Sequence, residues 1–270
     1  VVDNPNVDGE LDETTPQTSI SQTLTNITNT VQTVDYIVTP TSGADGFCVG
    51  EVFTVTVQVN PEPVIQPVNF GAICSGTAFT VIPTNDGGSS LSDIVPVNTT
   101  YIWTVVDNPN VEGDLDEVDP QTSISQILTN LTNTVQTVDY IVTPTSGADG
   151  FCVGEDFTLT VSVNPKPFMD PFTHAPFCSN FTFIVLPIDG QGNTNSDIVP
   201  VGTTYTWTVV DVNGLVTGDS DVTIGQTSIS QTLINISDVP QTLVYTVTPT
   251  SGDVGACVGD PFIVTFTVNP

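Results

Sequence analysis

The cysteines are the most regularly spaced of the residues in this sequence that could do chemistry. The chain has 270 residues and five cysteines. Cys48 and Cys152 lie 104 positions apart, Cys74 and Cys178 lie 104 apart, and Cys152 and Cys257 lie 105 apart. A catalytic centre needs to be built only once, whereas a stalk or a multivalent surface is built by copying. The recurring cysteines therefore indicate structural cross-linking.

Pairing within each repeat predicts two disulfide bonds. Cys74 with Cys152, and Cys178 with Cys257, are the pairings that give both complete repeats the same bridge. Cys48 is then expected to find its partner outside this chain. A closed loop of that length constrains the unfolded chain by around 4 kcal/mol in the entropy model. Disulfides form in oxidising compartments, so the sequence predicts an exported protein.

The charge balance restricts the partners of this chain. It has 30 acidic residues against a single base, Lys166, which gives a formal net charge of -29. Such a surface repels nucleic acid and anionic lipid, so neither is expected to bind. No stretch approaches the roughly 20 apolar residues of a membrane-spanning helix, and no membrane insertion is expected.

One acidic connection is a candidate calcium site. Carboxylates at high density suit Ca²⁺, which takes hard oxygen ligands. The alternative is a solvated acidic loop, because the third repeat keeps fewer acids here and the spacing is not that of a calcium-binding loop. No other cofactor is expected. The candidate ligands are Asp107, Glu112, Asp114 and Asp116.

No set of residues suits catalysis. The sequence has one histidine, His174, and it aligns with Phe70 of the preceding repeat. A nucleophile relay needs a base that is held by an orienting carboxylate. The sequence therefore predicts a protein that is not an enzyme.

Three units are expected to hold these residues. The segment Val-Asn-Pro-x-Pro at residues 59–63 returns at 163–167, and Val-Asn-Pro closes the chain. Cutting there gives a partial unit, residues 1–60, and two whole units, residues 61–165 and 166–270. The partial unit lacks a front half, so the chain is expected to be an excerpt of a longer repetitive polypeptide; the alternative is that a neighbouring molecule supplies the missing strands.

Each whole unit is predicted to be a β-sandwich of about seven strands. Apolar residues alternate with Thr and Ser along Phe157 to Val163 and again along Phe262 to Val268, which is the period of a strand with one buried face. Short strands separated by turn residues at this spacing favour a sandwich. Trp103 and Trp207 are expected to anchor the cores, with sugar stacking as the alternative role.

Five Asn-x-Ser/Thr sequences could accept glycans in a eukaryotic secreted protein. We interpret them instead as a consequence of the richness in Asn and Thr. They begin at Asn26, Asn98, Asn130, Asn180 and Asn235.

Several recurring phrases resemble those of a known family. They include Thr-Tyr-x-Trp-Thr-Val-Val-Asp at 100–107 and 204–211, Ser-Ile-Ser-Gln-x-Leu, Val-Thr-Pro-Thr-Ser-Gly, and the Cys-Val-Gly segment before each last strand. Together they resemble the PKD-like repeats of giant surface proteins in Bacteroidota. The resemblance implies tandem immunoglobulin-like sandwiches of about 104 residues, export by the type IX route and display at the cell surface.

The sequence favours a structural role over a binding role. Residues 1–60 and 105–164 are identical at 51 of 60 positions, and the loops are copied along with the strands. Uniform units suit self-association into an extracellular filament or an adhesin stalk. The alternatives are an adhesive module that binds glycans or a host or prey surface, and a spacer of a large secreted enzyme.

Overall fold

The computed structural model describes residues 1–85, 93–190, 196–252 and 255–270, and every helix or strand assigned within them is a strand. The buried apolar side chains form three separate cores. One core lies within residues 1–59, the second within 65–163 and the third within 169–268. The fold class predicted from the sequence, an all-β chain of tandem immunoglobulin-like domains, is confirmed.

The first unit consists of two short antiparallel pairs. Its strands are β1 (Val7–Asp8), β2 (Thr25–Asn26), β3 (Gln32–Val38) and β4 (Phe53–Val59). β1 pairs with β2, and β3 pairs with β4. The core is small, and one face of β4 is uncovered: Phe53 is 48% exposed, whereas its counterpart in the second unit, Phe157, is 3% exposed.

The second unit is a sandwich of two sheets. One sheet has the order β5-β12-β11-β7-β9 and the other β6-β10-β8. The first strand, β5, runs parallel to the last strand, β12, and the remaining pairs are antiparallel. The strands are β5 (Val68–Cys74), β6 (Thr77–Val81), β7 (Thr100–Val106), β8 (Val111–Glu112), β9 (Glu117–Gln121), β10 (Ile124–Asn130), β11 (Gln136–Thr145) and β12 (Phe157–Asn164).

The third unit repeats this topology, with its first strand divided into two short pieces. Both pieces, β13 and β14, pair in parallel with the last strand, β21. The other sheet has the order β15-β19-β17. The strands are β13 (Phe172–Thr173), β14 (Phe177–Cys178), β15 (Phe181–Val185), β16 (Thr204–Asp211), β17 (Val216–Thr217), β18 (Val222–Gln226), β19 (Ile229–Asn235), β20 (Gln241–Thr250) and β21 (Phe262–Asn269).

The period-2 pattern of the last strands is what builds the cores. Every second residue of β12 and of β21 points into the sandwich, as the alternation predicts. In each strand these four side chains are 0–3% exposed. They are Phe157, Leu159, Val161 and Val163 in β12, and Phe262, Val264, Phe266 and Val268 in β21. Among the described residues, none forms a helix of the length and hydrophobicity that crossing a membrane requires.

Candidate functional site

A disulfide bond joins the second unit to the third. It links Cys74 to Cys257, whose Cα atoms lie 5.6 Å apart although 183 positions separate them in the sequence. The predicted pairings of Cys74 with Cys152, and of Cys178 with Cys257, are therefore wrong. The bond crosses between units instead of closing each unit on itself.

The parallel pairing of the first and last strands explains this outcome. Cys74 lies opposite Asn164, the residue at the far end of β12. Cys152 lies in the loop that precedes β12, at the other end of the same strand. A strand of eight residues spans roughly 26 Å, whereas a disulfide needs Cα atoms within about 7 Å. The two cysteines of one unit are thus too far apart to bond.

The loop that carries Cys257 lies directly against the end of the second unit. A Cβ atom placed on Gly255 would lie 2.6 Å from Nδ2 of Asn164, and one placed on Gly259 would lie 2.2 Å from the carbonyl oxygen of Pro167. Gly255 also has a φ of +111°, a conformation that favours glycine. Only glycines allow the loop to approach the joint so closely.

The joint between the first and second units has the same construction. A Cβ atom on Gly150 would lie 2.4 Å from Nδ2 of Asn60, and one on Gly154 would lie 2.1 Å from the carbonyl oxygen of Pro63. Cys152 occupies in this joint the place that Cys257 occupies in the next. The units are thus connected by one repeated interface, and we call it the joint.

Three cysteines have free thiols in the described part of the chain. Cys152 is partly buried at the first joint, and Cys48 and Cys178 are exposed. The partner of Cys48 therefore lies outside this chain or is lacking, and the expectation that it lies outside stays a prediction.

The acidic connection of the second unit uses its carboxylates to hold the backbone. Asp116 Oδ1 accepts from the amide of Val105 at 2.7 Å, and Asp114 Oδ2 accepts from the amide of Asn108 at 3.2 Å. Across the described ranges, no three of the residues His, Cys, Asp and Glu lie together in a group that could hold a metal ion. The structure does not assemble Asp107, Glu112, Asp114 and Asp116 into the predicted calcium site, because Glu112 lies in β8 and Asp114 and Asp116 are directed to separate backbone amides.

A buried asparagine locks the end of each sandwich, and the sequence analysis missed it. Asn130 Nδ2 donates to the carbonyl oxygens of Thr134 at 2.7 Å and Val163 at 2.9 Å. Its Oδ1 accepts from the amide and the hydroxyl of Thr132, each at 2.8 Å. Asn26 and Asn235 make the equivalent bonds in their units.

These bonds explain three of the five Asn-x-Ser/Thr sequences. The third residue of the motif is needed because its amide and hydroxyl both donate to the asparagine oxygen, which forms an Asx turn. Asn130 is 2% exposed, so a glycosyltransferase cannot reach it in the folded chain. The signal was present in the sequence, since Asn26, Asn130 and Asn235 recur with the period of the cysteines.

Both tryptophans lie in the cores. Trp103 is 4% exposed and Trp207 is 3% exposed. The indole of Trp103 donates to the carbonyl oxygen of Leu115 at 3.0 Å, and that of Trp207 donates to Ser220 at 3.2 Å. Because the rings are covered, neither is available to stack on a sugar.

His174 lies among aromatic rings instead of beside a catalytic partner. Its ring centroid is 5.3 Å from that of Phe266 and 5.7 Å from that of Phe177. Its Nδ1 lies 2.7 Å from the carbonyl oxygen of Ala175. This environment supports a packing role for the histidine.

Four tyrosines are fully buried, and burial raises the pKa of each phenol. Burial raises the pKa of Tyr101 to about 12 and, with a smaller contribution from Asp197, that of Tyr205 to about 12. Burial also raises the pKa of Tyr140 and of Tyr245. The cores therefore tolerate only the neutral phenol.

Comparison with known families gives one match, and it extends over most of the chain. The PKD-like domain family matches residues 1–63, 71–167 and 188–270. The chain belongs to the PKD-like domain family. Comparison with curated proteins found no sequence relative of this chain. PKD-like domains are generally non-catalytic and are typical of extracellular structural or adhesion proteins. The disulfide also suggests an extracellular protein.

Several solved structures resemble these PKD-like repeats at low identity. Mouse cadherin-23 (EC22–24) is 13% identical, with 89% of this chain and 67% of that chain covered and a TM-score of 0.32. Three titin domains are 10% identical, with 92% and 91% covered and a TM-score of 0.30. An endo-fucoidan hydrolase of glycoside hydrolase family 107 is 11% identical, with 98% and 39% covered and a TM-score of 0.27.

Proposed function

We propose that this chain is a structural, non-catalytic repeat region of a secreted bacterial surface protein, and that it bears tension in an extracellular filament or adhesin stalk. The Bacteroidota origin and the type IX export route that the sequence suggests belong to this proposal. The single observation that carries it is the disulfide between Cys74 and Cys257, which ties one unit to the next.

This bond changes the path of a force that pulls on the two ends of the chain. Tension that enters through the first unit travels along β5 to Cys74, crosses the bond to Cys257 and leaves through β21. The residues between the two cysteines lie outside that path. Two sandwiches therefore stay folded under a load that would extend an unlinked chain.

A hydrogen-bonded ladder resists the same tension when the disulfide is reduced. β5 runs parallel to β12 over six residue pairs, from Leu159 opposite Val68 to Asn164 opposite Cys74. Without the bond, tension would enter at the start of β5 and leave at the end of β12, which loads all of these hydrogen bonds together in shear instead of opening them one at a time. The arrangement suits a stalk better than a flexible spacer.

The composition suits exposure outside the cell. Lys166 is the one lysine in the chain and there is no arginine, so the chain offers almost no sites to trypsin-like proteases. That single base, Lys166, lies at the second joint and pairs with Asp260 at 3.0 Å. Exposed ion pairs contribute little to stability, so the disulfide is the main restraint at the second joint.

Antibody labelling of intact source cells tests this function. An antibody raised against the chain is expected to decorate extracellular threads, and negatively stained purified threads should show beads with a spacing on the order of 40 Å, one strand length plus the joint. Labelling that appears only after the cells are permeabilised, or material that is seen only as compact globules, would overturn the proposal.

A further inference from the structure

The third unit has a cavity at one edge of its sandwich. The cavity is lined by residues in and beside β13, which belongs to one sheet, and β15, which belongs to the other. Its volume is about 460 Å³. Sites that bind small molecules usually have volumes of roughly 300–1,000 Å³, so this cavity is large enough for such a ligand. We call it the edge cavity.

Apolar side chains form most of the wall of the edge cavity. Met169 is buried, whereas Ile184 and Leu186 line the cavity and are exposed. Phe172 also lines it, and its ring stacks on that of Phe262 with the centroids 6.4 Å apart. Thioether and aromatic groups make favourable contacts with an aromatic ring. The wall therefore suits a ligand with an aromatic body.

Two acidic residues lie next to each other at the edge cavity. Asp197 is 5% exposed, and its Oδ1 accepts from the amide of Asp170 at 2.9 Å. Both residues line the cavity, and Asp170 Oδ2 accepts from the hydroxyl of Ser196 at 3.3 Å. A carboxylate has about four lone-pair sites, so each of the two can accept further hydrogen bonds from a ligand.

The charge of these two carboxylates selects a cation. The chain has a single base, Lys166, and it pairs with Asp260 at the second joint. No lysine or arginine side chain therefore offsets the negative charge at the edge cavity. Charges in a partly buried site interact more strongly than charges in bulk water, so the cavity attracts a cationic group.

His174 adds a third polar group to the lining. Its Nδ1 lies 2.7 Å from the carbonyl oxygen of Ala175. A carbonyl oxygen only accepts, so Nδ1 carries the proton and Nε2 of the neutral ring is an acceptor. The histidine and the two acids do not form a metal centre, since no group of three such ligands occurs in the part of the chain that the structure describes. The cation that fits is therefore organic.

Comparison with the second unit separates the shared frame from what is specific to the third. Asp93 stands at the position of Asp197, and its Oδ1 accepts from the amide of Gln66 at 3.0 Å. The bond between Asp197 and the following element is thus common to both units. Gln66 stands where the third unit has Asp170, so the fold does not require the second carboxylate.

We propose that the edge cavity binds a small aromatic amine. The aromatic body lies against Met169 and Phe172, and the protonated amino group donates to the carboxylates of Asp170 and Asp197. An anion is excluded by the charge of the lining. The proposal goes beyond the stalk function and does not depend on it.

The single methionine of the chain, Met169, gives a direct test. With an isotope-labelled methionine methyl group, the NMR spectrum of the full chain has one methionine signal, and it reports on the cavity wall. Titration with phenethylamine is expected to shift this signal until it saturates. Phenethyl alcohol has a similar apolar body without the charge and should bind more weakly, and the anion hydrocinnamate should leave the signal unchanged. No shift with phenethylamine, or equal affinity for the amine and the alcohol, would overturn the proposal.

A variant taken from the second unit tests the contact with the amino group. Asp170→Gln installs the residue found at Gln66 and keeps the backbone amide that donates to Asp197. It should lower the affinity for phenethylamine about tenfold, the loss expected for one hydrogen bond to a charged group. The affinity for phenethyl alcohol should stay unchanged, which shows that the cavity is still formed.

A second variant removes an equal charge outside the edge cavity and serves as the matched control. Asp189 is exposed, and its Oδ1 accepts from the amide of Val199 at 3.0 Å, as Asn85 Oδ1 accepts from the amide of Val95 at 2.9 Å in the second unit. Asp189→Asn should change the affinity for phenethylamine less than about twofold, because exposed charges are screened by salt. Equal losses in Asp189→Asn and Asp170→Gln would overturn the proposal, and the thread-labelling result would be unaffected.

Discussion

Cys74 and Cys257 are bonded across the boundary between two sandwiches, with Cys74 at the end of β5 and Cys257 in the loop that precedes β21. The bond thus stabilises the orientation of neighbouring units as well as their fold. Each complete unit contributes one cysteine near its beginning and one near its end, so the same cross-link can be repeated between complete units.

Breaking this bond should destabilise the two complete units. Closing a loop of 183 residues constrains the unfolded chain by about 5 kcal/mol in the entropy model. We expect Cys257→Ser to lower the free energy of unfolding in urea by an amount up to that value. Cys178→Ser, which removes a thiol without a partner in the described chain, is the control and should leave the urea midpoint unchanged.

Mapping of the disulfides gives an independent check on the same bond. Digestion with an Asp-specific protease without reduction should yield a linked pair of peptides that contains Cys74 and Cys257. A linked pair containing Cys74 and Cys152 would contradict the joint described above.

The strands and cores could be predicted from the sequence because their information is local. The alternation along Phe157 to Val163 specifies a strand with one buried face, and the structure buries those four side chains. The disulfide pairing could not be predicted in the same way, because it depends on which ends of β5 and β12 meet. The parallel register that places Cys74 beside Asn164 is a property of the folded sheet.

Removal of the asparagine lock should unfold the second unit more easily. Asn130→Ala removes the side-chain donor to the carbonyl oxygens of Thr134 and Val163 and the acceptor of the Thr132 amide. Each buried polar group left unsatisfied costs about 1–3 kcal/mol. We therefore expect a loss of about 2–4 kcal/mol in the free energy of unfolding, measured by urea titration.

The third unit suggests the control for this variant. There Ser237 makes the bonds that Thr132 makes in the second unit. Thr132→Ser keeps both donors and should change stability by less than about 0.5 kcal/mol. If Asn130→Ala were as stable as Thr132→Ser, the asparagine would have no locking role.

The buried tyrosines predict a loss of stability at alkaline pH. The pKa of Tyr101 and of Tyr205 is raised to about 12 in the folded chain, against about 10 when unfolded. A raised pKa means that the unfolded chain releases the phenolic proton first, so stability is complete below pH of about 10 and falls as the pH rises towards 12.

Tyrosinate absorbance and circular dichroism during an alkaline titration check this expectation. The chain with its three free cysteines changed to serine avoids disulfide exchange. Tyr101→Phe removes one titrating group and should shift the alkaline unfolding midpoint upward compared with that parent. Ionisation of all tyrosines near pH of about 10 without unfolding would show that the phenols are accessible to solvent.

Calcium should have no specific effect on stability. The carboxylates of Asp114 and Asp116 accept backbone hydrogen bonds and do not converge. A chelator at low salt is expected to leave the melting temperature unchanged, and CaCl₂ should act no more strongly than MgCl₂ at equal ionic strength. Both salts should raise the melting temperature, because they screen the repulsion within a chain of net charge -29.

The acidic connection and the asparagine lock show the limits of reading a site from residue types. Four acids close together in sequence suggested a metal site, but two of them, Asp114 and Asp116, accept hydrogen bonds from different backbone amides. The recurring Asn-x-Ser/Thr motif was interpreted as a consequence of composition. Only the fold shows that the carbonyl oxygen of Val163, in the last strand, lies within reach of Asn130.

Pulling single molecules from their two ends tests the central claim most directly. With the bond between Cys74 and Cys257 intact, the residues between them should stay out of the extended length. Reduction, or Cys257→Ser, should add roughly 600 Å, the extended length of 183 residues. Equal extended lengths in the oxidised and reduced states would contradict the account, because the joint would then carry no tension.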